Sequence, residues 1–307
     1  MEMWTTLRRL RLAHISTAPT TTAWVPHHWQ PEAFPNCNCV VNTKPDGTEV
    51  TEADRRAEEV VREMITKQFP DDGILGEEFG ATNGPKTQYR WVIDPLDGTT
   101  WFTLGVPIFG TLIAYLEGDE PLIGVIRFPV TGETIYAGKK LGCWFKSDNN
   151  TPVRVRVGSK VGLKEAVVSA AGVHSSNIHT DSGQVPYNLT GLIHQAKKFR
   201  FCGDCLHHAL VCRGRVHGAV DTLMQPWDSA AIIPCIEKAG GIATTLSGQR
   251  KGIVFGGNLL TSCDTSLHHE ILELFQSNEV RDGKIITQTE PAAKDNAIGH
   301  IAVTPRV

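Results

Sequence analysis

The chain has 307 residues, enough to bury a large core as one unit or as two subdomains sharing an interface. Its formal charge of -3 lacks the basic excess of a general nucleic-acid binder, and no run approaches the about 18 apolar residues of a membrane span. Eight cysteines (37, 39, 143, 202, 205, 212, 235 and 263) lie in apolar contexts without a compact framework, which reads as buried thiols of a reducing, cytoplasmic compartment.

Residues 1–39 show little periodicity and several prolines, and are expected to form an atypical segment, disordered or targeting. Positions 1–26 are rich in Arg, Ser and Thr with Glu2 the only acid, a composition weakly like an organelle presequence. A helix is predicted over 51–69: Ala53, Ala57, Val60, Val61, Met64 and Ile65 form one stripe, and Thr51 stands at capping-box distance from Asp54. Ile74-Leu75-Gly76 reads as a short strand leading into Glu77-Glu78, and Arg90 to Ile93 as another.

Further β-rich runs follow at 108–115, 122–128, 134–137, 142–145 and 153–157, with a turn at Glu117-Gly118-Asp119. A turn and helix are expected over 203–213, a strand over 216–220, and one apolar helix over 227–239 closed by Gly240-Gly241. A last helix covers 265–275, and the polar residues beyond it form an extension. Strands concentrated early and mixed with helices later favour a layered α+β or α/β sandwich over continuous Rossmann winding. The boundaries expected are 1–39, a metal-binding α+β subdomain over 40–160, an α/β substrate-side subdomain over 161–277, and an extension over 278–307.

The chemistry concentrates in Asp94-Pro95-Leu96-Asp97-Gly98-Thr99. Two carboxylates at a strand end converge only if the chain bends between them, which Pro95 and Gly98 favour. Converging carboxylates repel unless a cation lies between them, so the hexapeptide reads as a hard-metal site beside an anion-binding turn. Other acids are blander alone. Asp228 opens an apolar helix and reads as a cap, Asp54 as a helix acid, and Glu77 as a solvated turn residue.

Taken together, four blocks resemble the inositol monophosphatase superfamily of magnesium-dependent, lithium-sensitive phosphatases. They are Val50-Thr51-Glu52-Ala53-Asp54, Gly76-Glu77-Glu78, the hexapeptide, and Trp227-Asp228-Ser229-Ala230-Ala231 through Glu237-Lys238-Ala239-Gly240-Gly241. The resemblance covers roughly residues 40–277. It implies a five-layer α-β-α-β-α sandwich, a homodimer in the family's manner, and a small phosphorylated metabolite as substrate, with no nucleic-acid or membrane partner. It also implies metal ligation by Glu77, Asp94, Asp97, Asp228 and the Leu96 carbonyl, with two or three Mg2+ per site. Asp54, Glu77 and Thr99 would orient an attacking water, and backbone N–H groups at Gly98, Thr99 and Thr100 would bind phosphate.

Gly203-Asp204-Cys205 resembles the histidinol-phosphatase branch, which would place Asp97, Asp204 and Asp221 on the substrate. The bland alternatives are a turn acid at Asp204 and a strand-end acid at Asp221. Histidinol phosphate suits an acidic pocket, while inositol 1-phosphate or another polyol or sugar phosphate is the alternative ester. Trp101 and the pair His207-His208 depart from that branch. Rival readings are a zinc site on Cys202, Cys205 and His207 or His208, a non-catalytic phospholigand-binding protein, and a Rossmann dehydrogenase. The last lacks the Gly-x-Gly-x-x-Gly turn.

Overall fold

A computed structural model describes residues 41–44, 49–179, 187–276, 280–281 and 284–285. Residues 1–40, residues 180–186 and nearly all of the C-terminal extension lie outside the described residues, and so do the targeting and extension expectations. The chain begins with a short ribbon, β1 (Val41–Thr43) against β2 (Glu49–Thr51), and passes directly into α1 (Glu52–Gln68). The expected capping box is present: the Thr51 side chain accepts from Ala53 N, and Asp54 Oδ2 accepts from Thr51 N at 2.8 Å. Such a cap is worth about 1 kcal/mol.

Eight strands form the larger sheet in the order β10-β9-β8-β7-β6-β5-β3-β4. They are β3 (Asp72–Gly76), β4 (Gly80–Thr82), β5 (Lys86–Asp97), β6 (Gly110–Glu117), β7 (Glu120–Phe128), β8 (Glu133–Gly138), β9 (Gly142–Ser147) and β10 (Val153–Val155). Alternation divides its two faces. Trp91, Ile93, Ile113 and Tyr115 pack with Val61 and Ile65 of α1, whereas Val92, Leu112, Ala114 and Ile126 point the other way, into a separate core.

The smaller sheet has the order β12-β11-β13-β15-β14, built from β11 (Val167–Ala170), β12 (Lys198–Phe201), β13 (Gly218–Asp221), β14 (Ile242–Thr244) and β15 (Leu259–Ser262). Between the sheets lie α4 (Asp204–Cys212), α5 (Pro226–Ala230) and α6 (Ile232–Lys238), whose Ala209, Ala230, Ile232 and Ile236 join the second core. On the outer face of the smaller sheet, α3 (Leu189–Gln195) and α7 (Thr265–Gln276) bury Leu192, Leu267 and Ile271 against Val168 and Leu260. The short α2 (Thr99–Thr103) follows β5. The result is the expected five layers: α1, sheet, α4 to α6, sheet, α3 and α7.

One expected helix, 227–239, is divided at Ala231. Pro234 is the reason: it has no N–H to give Ala230 and is tolerated only in the first turn of a new helix. The divide fits closely on the sheet, because a Cβ on Gly124 of β7 would overlap the Ala231 carbonyl.

Candidate active site

The strand β5 bends where the two acids require it. Its pairing with β6 shifts register between Asp94 and Asp97, and the Leu96 N–H donates to Asp94 Oδ1 at 3.0 Å across the bulge. Gly98 then takes φ 89, a left-handed conformation open to glycine without strain, and starts α2. The two carboxylates thereby meet Asp228 of α5, with one oxygen from each of Asp94, Asp97 and Asp228 inside a 4.8 Å group.

Each acid is fixed by an N–H as well. The Cys205 N–H of α4 donates to Asp97 Oδ2 at 2.6 Å, and Gln225 N–H donates to Asp228 Oδ2 at 2.6 Å. Asp228 is therefore both the third helical residue of a capping box, with Gln225 as the cap, and a member of the acidic group. Burial pushes its carboxyl up to about 7, with Glu77 and Asp221 adding to the rise against the Gln225 hydrogen bond. Burial, and then Glu77, Asp97 and Asp228, push Asp94 far above the usual carboxylate range; burial and Asp204 do the same to Asp97. Oxygen-only donors, buried and mutually repelling, fit a small hard cation.

Glu77 stands at the end of β3 next to Asp94, but the structure ties it elsewhere too. Lys44 Nζ bridges Glu77 at 2.8 Å and Glu78 at 2.6 Å. Glu58 of α1, fully buried, holds the same turn by accepting from Glu78 N at 2.7 Å and Phe79 N at 3.3 Å. Neither Lys44 nor Glu58 was singled out in the sequence. The signal for Glu58 was there, since Asp54, Glu58 and Arg62 fall four residues apart on one helix face, and Arg62 Nε donates to Glu58 at 2.6 Å.

Thr99 Oγ1 lies 3.1 Å from Asp54 Oδ1 and 3.1 Å from the Leu96 carbonyl. One hydroxyl proton serves one of them at a time. Asp54 is fully buried, and burial raises its carboxyl against hydrogen bonds from Thr51 and Thr99.

The substrate-side acids come from the middle layer and the smaller sheet. Asp204 opens α4 with φ 55, a strained conformation for a non-glycine residue, and its Oδ2 would stand 3.0 Å from a Cβ on Gly98. The Trp101 side chain hydrogen-bonds to it, and Gly203 leaves room for that indole. Asp221 ends β13 and is held by His207 and His208. The donors of the rival zinc reading do not assemble: among the described residues, the groups of three or more possible ligands are the acidic trio and His207, His208 and Asp221, neither containing a cysteine. Among the described cysteines, Cys143, Cys205, Cys212, Cys235 and Cys263 are buried and free.

The model of the inositol monophosphatase family matches residues 27–279. The chain belongs to that family. It is 39% identical over 242 residues to a histidinol-phosphatase of Chlorobaculum parvum, covering 78% of this chain and 88% of the relative. It is 33% identical over 226 residues to an inositol-1-monophosphatase of Mesorhizobium japonicum, covering 72% and 82%. Among solved structures, the Thermotoga maritima IMPase superposes with a TM-score of 0.71 at 30% identity, covering 88% of this chain and 97% of that one. The inositol monophosphatase fold and a phosphoric monoester hydrolase activity follow. No helix among the described residues is long and apolar enough to cross a membrane.

Proposed function

We propose that the chain is a magnesium-dependent phosphomonoesterase that hydrolyses histidinol phosphate to histidinol and phosphate. The observation that carries the hydrolytic reading is the convergence of Asp94, Asp97 and Asp228 beside the Thr99–Asp54 pair. Glu77, Asp94, Asp97, Asp228 and the Leu96 carbonyl would hold two or three magnesium ions. When bound, magnesium supplies Lewis-acid polarisation of the phosphoryl oxygens and offsets the charge of the carboxylates.

The chain's own groups supply positioning and proton handling. A Leu96 carbonyl committed to a cation leaves Asp54 as the acceptor for the Thr99 hydroxyl, whose oxygen then faces the attacking water as an acceptor. Glu77 would orient that water together with the Thr99–Asp54 pair. The N–H groups at Gly98, Thr99 and Thr100, in a first helical turn without intrahelical partners, meet the phosphate oxygens. The water oxygen forms the new bond to phosphorus as the ester P–O bond breaks, and the proton that the water gives up ends on the leaving oxygen. No protein nucleophile is required.

Histidinol phosphate is favoured because its leaving group carries an ammonium and an imidazole, which suit Asp97, Asp204 and Asp221. The likeness to histidinol-phosphatases supports the same choice. The runner-up is an inositol phosphate or related polyol or sugar phosphate, supported by relatives of that activity. Comparing kcat/KM for histidinol phosphate, inositol 1-phosphate and fructose 1,6-bisphosphate, with magnesium and after chelation, decides between them. The expected order puts histidinol phosphate first, with no turnover after chelation and inhibition by lithium. A preference for a bisphosphate would remove the substrate assignment.

A further inference from the structure

Asp221 is only 5% exposed, and two adjacent residues of α4 turn toward the same oxygen of its carboxylate. His207 Nε2 lies 2.7 Å and His208 Nε2 2.6 Å from Oδ2. The far nitrogens are occupied as well, His207 Nδ1 by Ser169 Oγ at 3.1 Å and His208 Nδ1 by Thr261 Oγ1 at 2.8 Å. Five side chains from three strands and one helix thus form a continuous buried network.

Its proton order follows from the groups. A carboxylate only accepts, so each Nε2 carries the proton it gives to Asp221. Burial and the neighbouring His207 push His208 down to about 4, so its ring is neutral near pH 7 and its Nδ1 accepts from the Thr261 hydroxyl. Burial alone would raise Asp221, but the two imidazoles outweigh it and hold the carboxyl below its usual range. The spacing is that of hydrogen bonds. Donors sharing one tetrahedral zinc would stand about 3.3 Å apart.

Stability alone does not account for the arrangement. Apolar residues of similar volume commonly replace a buried charged network at no loss. The network instead holds one oxygen of a short side chain rigidly. Asp221 Oδ1 has no hydrogen bond among the described residues, and the charge of Asp221 is felt by both Asp204 and Asp228. Asp221 ends β13 seven residues before Asp228, and the helix α4 that carries both histidines opens with Asp204, the acid beside the Gly98 turn.

We propose that His207 and His208 are positioning residues that lock Asp221 through Oδ2, so that Oδ1 is presented as a fixed acceptor selecting a leaving group with an ammonium or similarly strong donor. The proposal rests on the phosphatase reading above. Preorganisation is its physical advantage, because an acceptor already held in place loses no rotamer freedom on binding.

The experiment compares kcat/KM for histidinol phosphate with kcat/KM for p-nitrophenyl phosphate, whose leaving group has no cation. In His207→Leu and His208→Leu the ratio is expected to fall about tenfold, mostly through KM for histidinol phosphate, as for loss of a charge-assisted contact. His207→Gln and His208→Gln, which keep an N–H donor, are expected to restore most of it. Asp221→Asn is expected to lower the ratio alone, and the histidine changes to add nothing in that background. A wild-type ratio in folded leucine variants, or an equal further fall in the Asp221→Asn background, overturns the proposal. Thermal melts identify a leucine variant that does not fold, and the glutamine and Asp221→Asn chains then decide by the same ratio. A wild-type chain releasing phosphate from neither ester overturns the phosphatase reading itself, and the proposal with it, before any variant is made.

Discussion

Asp94 is nearly inaccessible, at 2% exposure, and its closest charged neighbours are other carboxylates. Without a cation, the charge on this side chain is opposed by its whole surroundings. Asp94→Asn keeps the shape, and the amide oxygen can still accept from the Leu96 N–H. It is expected to lower magnesium-dependent phosphate release by about 10²-fold or more, while the chelated protein melts no lower than wild type, because a repulsion of order 1 kcal/mol has gone. Phosphate release at saturating magnesium and a melt in chelator check both halves. A variant with near-wild-type turnover would remove Asp94 from the site. Trp101→Phe probes the neighbouring pocket: it removes the indole N–H that Asp204 accepts while keeping an aromatic wall. KM for histidinol phosphate is expected to rise about fivefold, with a smaller change in kcat, as for one hydrogen bond to a charged group. At this scale the acids were legible because their residue types and spacing state their chemistry. Lys44 was not, since an isolated lysine has no local mark of burial, and the spacing of Asp54, Glu58 and Arg62 marks a shared helix face without marking Glu58 as buried. Only the folded chain brings both to the Glu77–Glu78 turn.

Elements were legible in proportion to their length and period. The seventeen-residue α1 declared itself through its stripe and its cap. The strands β11, β12, β14 and β15, three or four residues each, did not, since so few residues establish no period. The divide at Ala231 was written in Pro234, but its close fit to Gly124 was not, because sequence does not show which backbone approaches which. Gly124→Ala is therefore expected to destabilise by about 2 kcal/mol or more, read as a lower denaturation midpoint, since its Cβ meets a carbonyl rather than a yielding side chain. The packing of α7 gives a pH prediction. His268 is 5% exposed, and its nitrogens lie 2.8 Å from Thr244 Oγ1 and 2.8 Å from Ser262 Oγ. Burial pushes it down to about 4, from a usual value near 6.5. The unfolded chain then binds the extra proton first, so the contribution is complete above about 6.5, falls with pH, and is lost near 4. His268→Gln is expected to flatten stability measured by urea unfolding across that window, by an amount on the order of 3 kcal/mol at most. An unchanged pH slope would mean that His268 is already protonated in the fold.

For the whole molecule, the five layers matter because the site belongs to none of them. Asp54 comes from the outer helix, Asp94 and Asp97 from the larger sheet, and Asp204 and Asp228 from the middle layer, while Asp221 ends a strand of the smaller sheet. The fold class was legible from the order of elements and the motif blocks. The meeting of four layers at one charge cluster was visible only as separate acids far apart in the chain. Packing the layers forces these acids together, so part of the folding free energy is spent against their repulsion. A cation that binds the folded arrangement and not the separated chain returns that energy by mass action, about 2.7 kcal/mol at 100 times its dissociation constant. For a chain of this size the expected rise in Tm is roughly 4 °C between chelator and saturating magnesium chloride. Sodium chloride at matched ionic strength should give much less, because screening reaches buried carboxylates poorly. Asp228→Asn should reduce the magnesium increment, since it removes a carboxylate contributed by the middle layer to a cluster otherwise rooted in the sheet. Equal shifts in the two salts would show that the layers close without a specific cation, and the acidic trio would then lose its place as a metal centre.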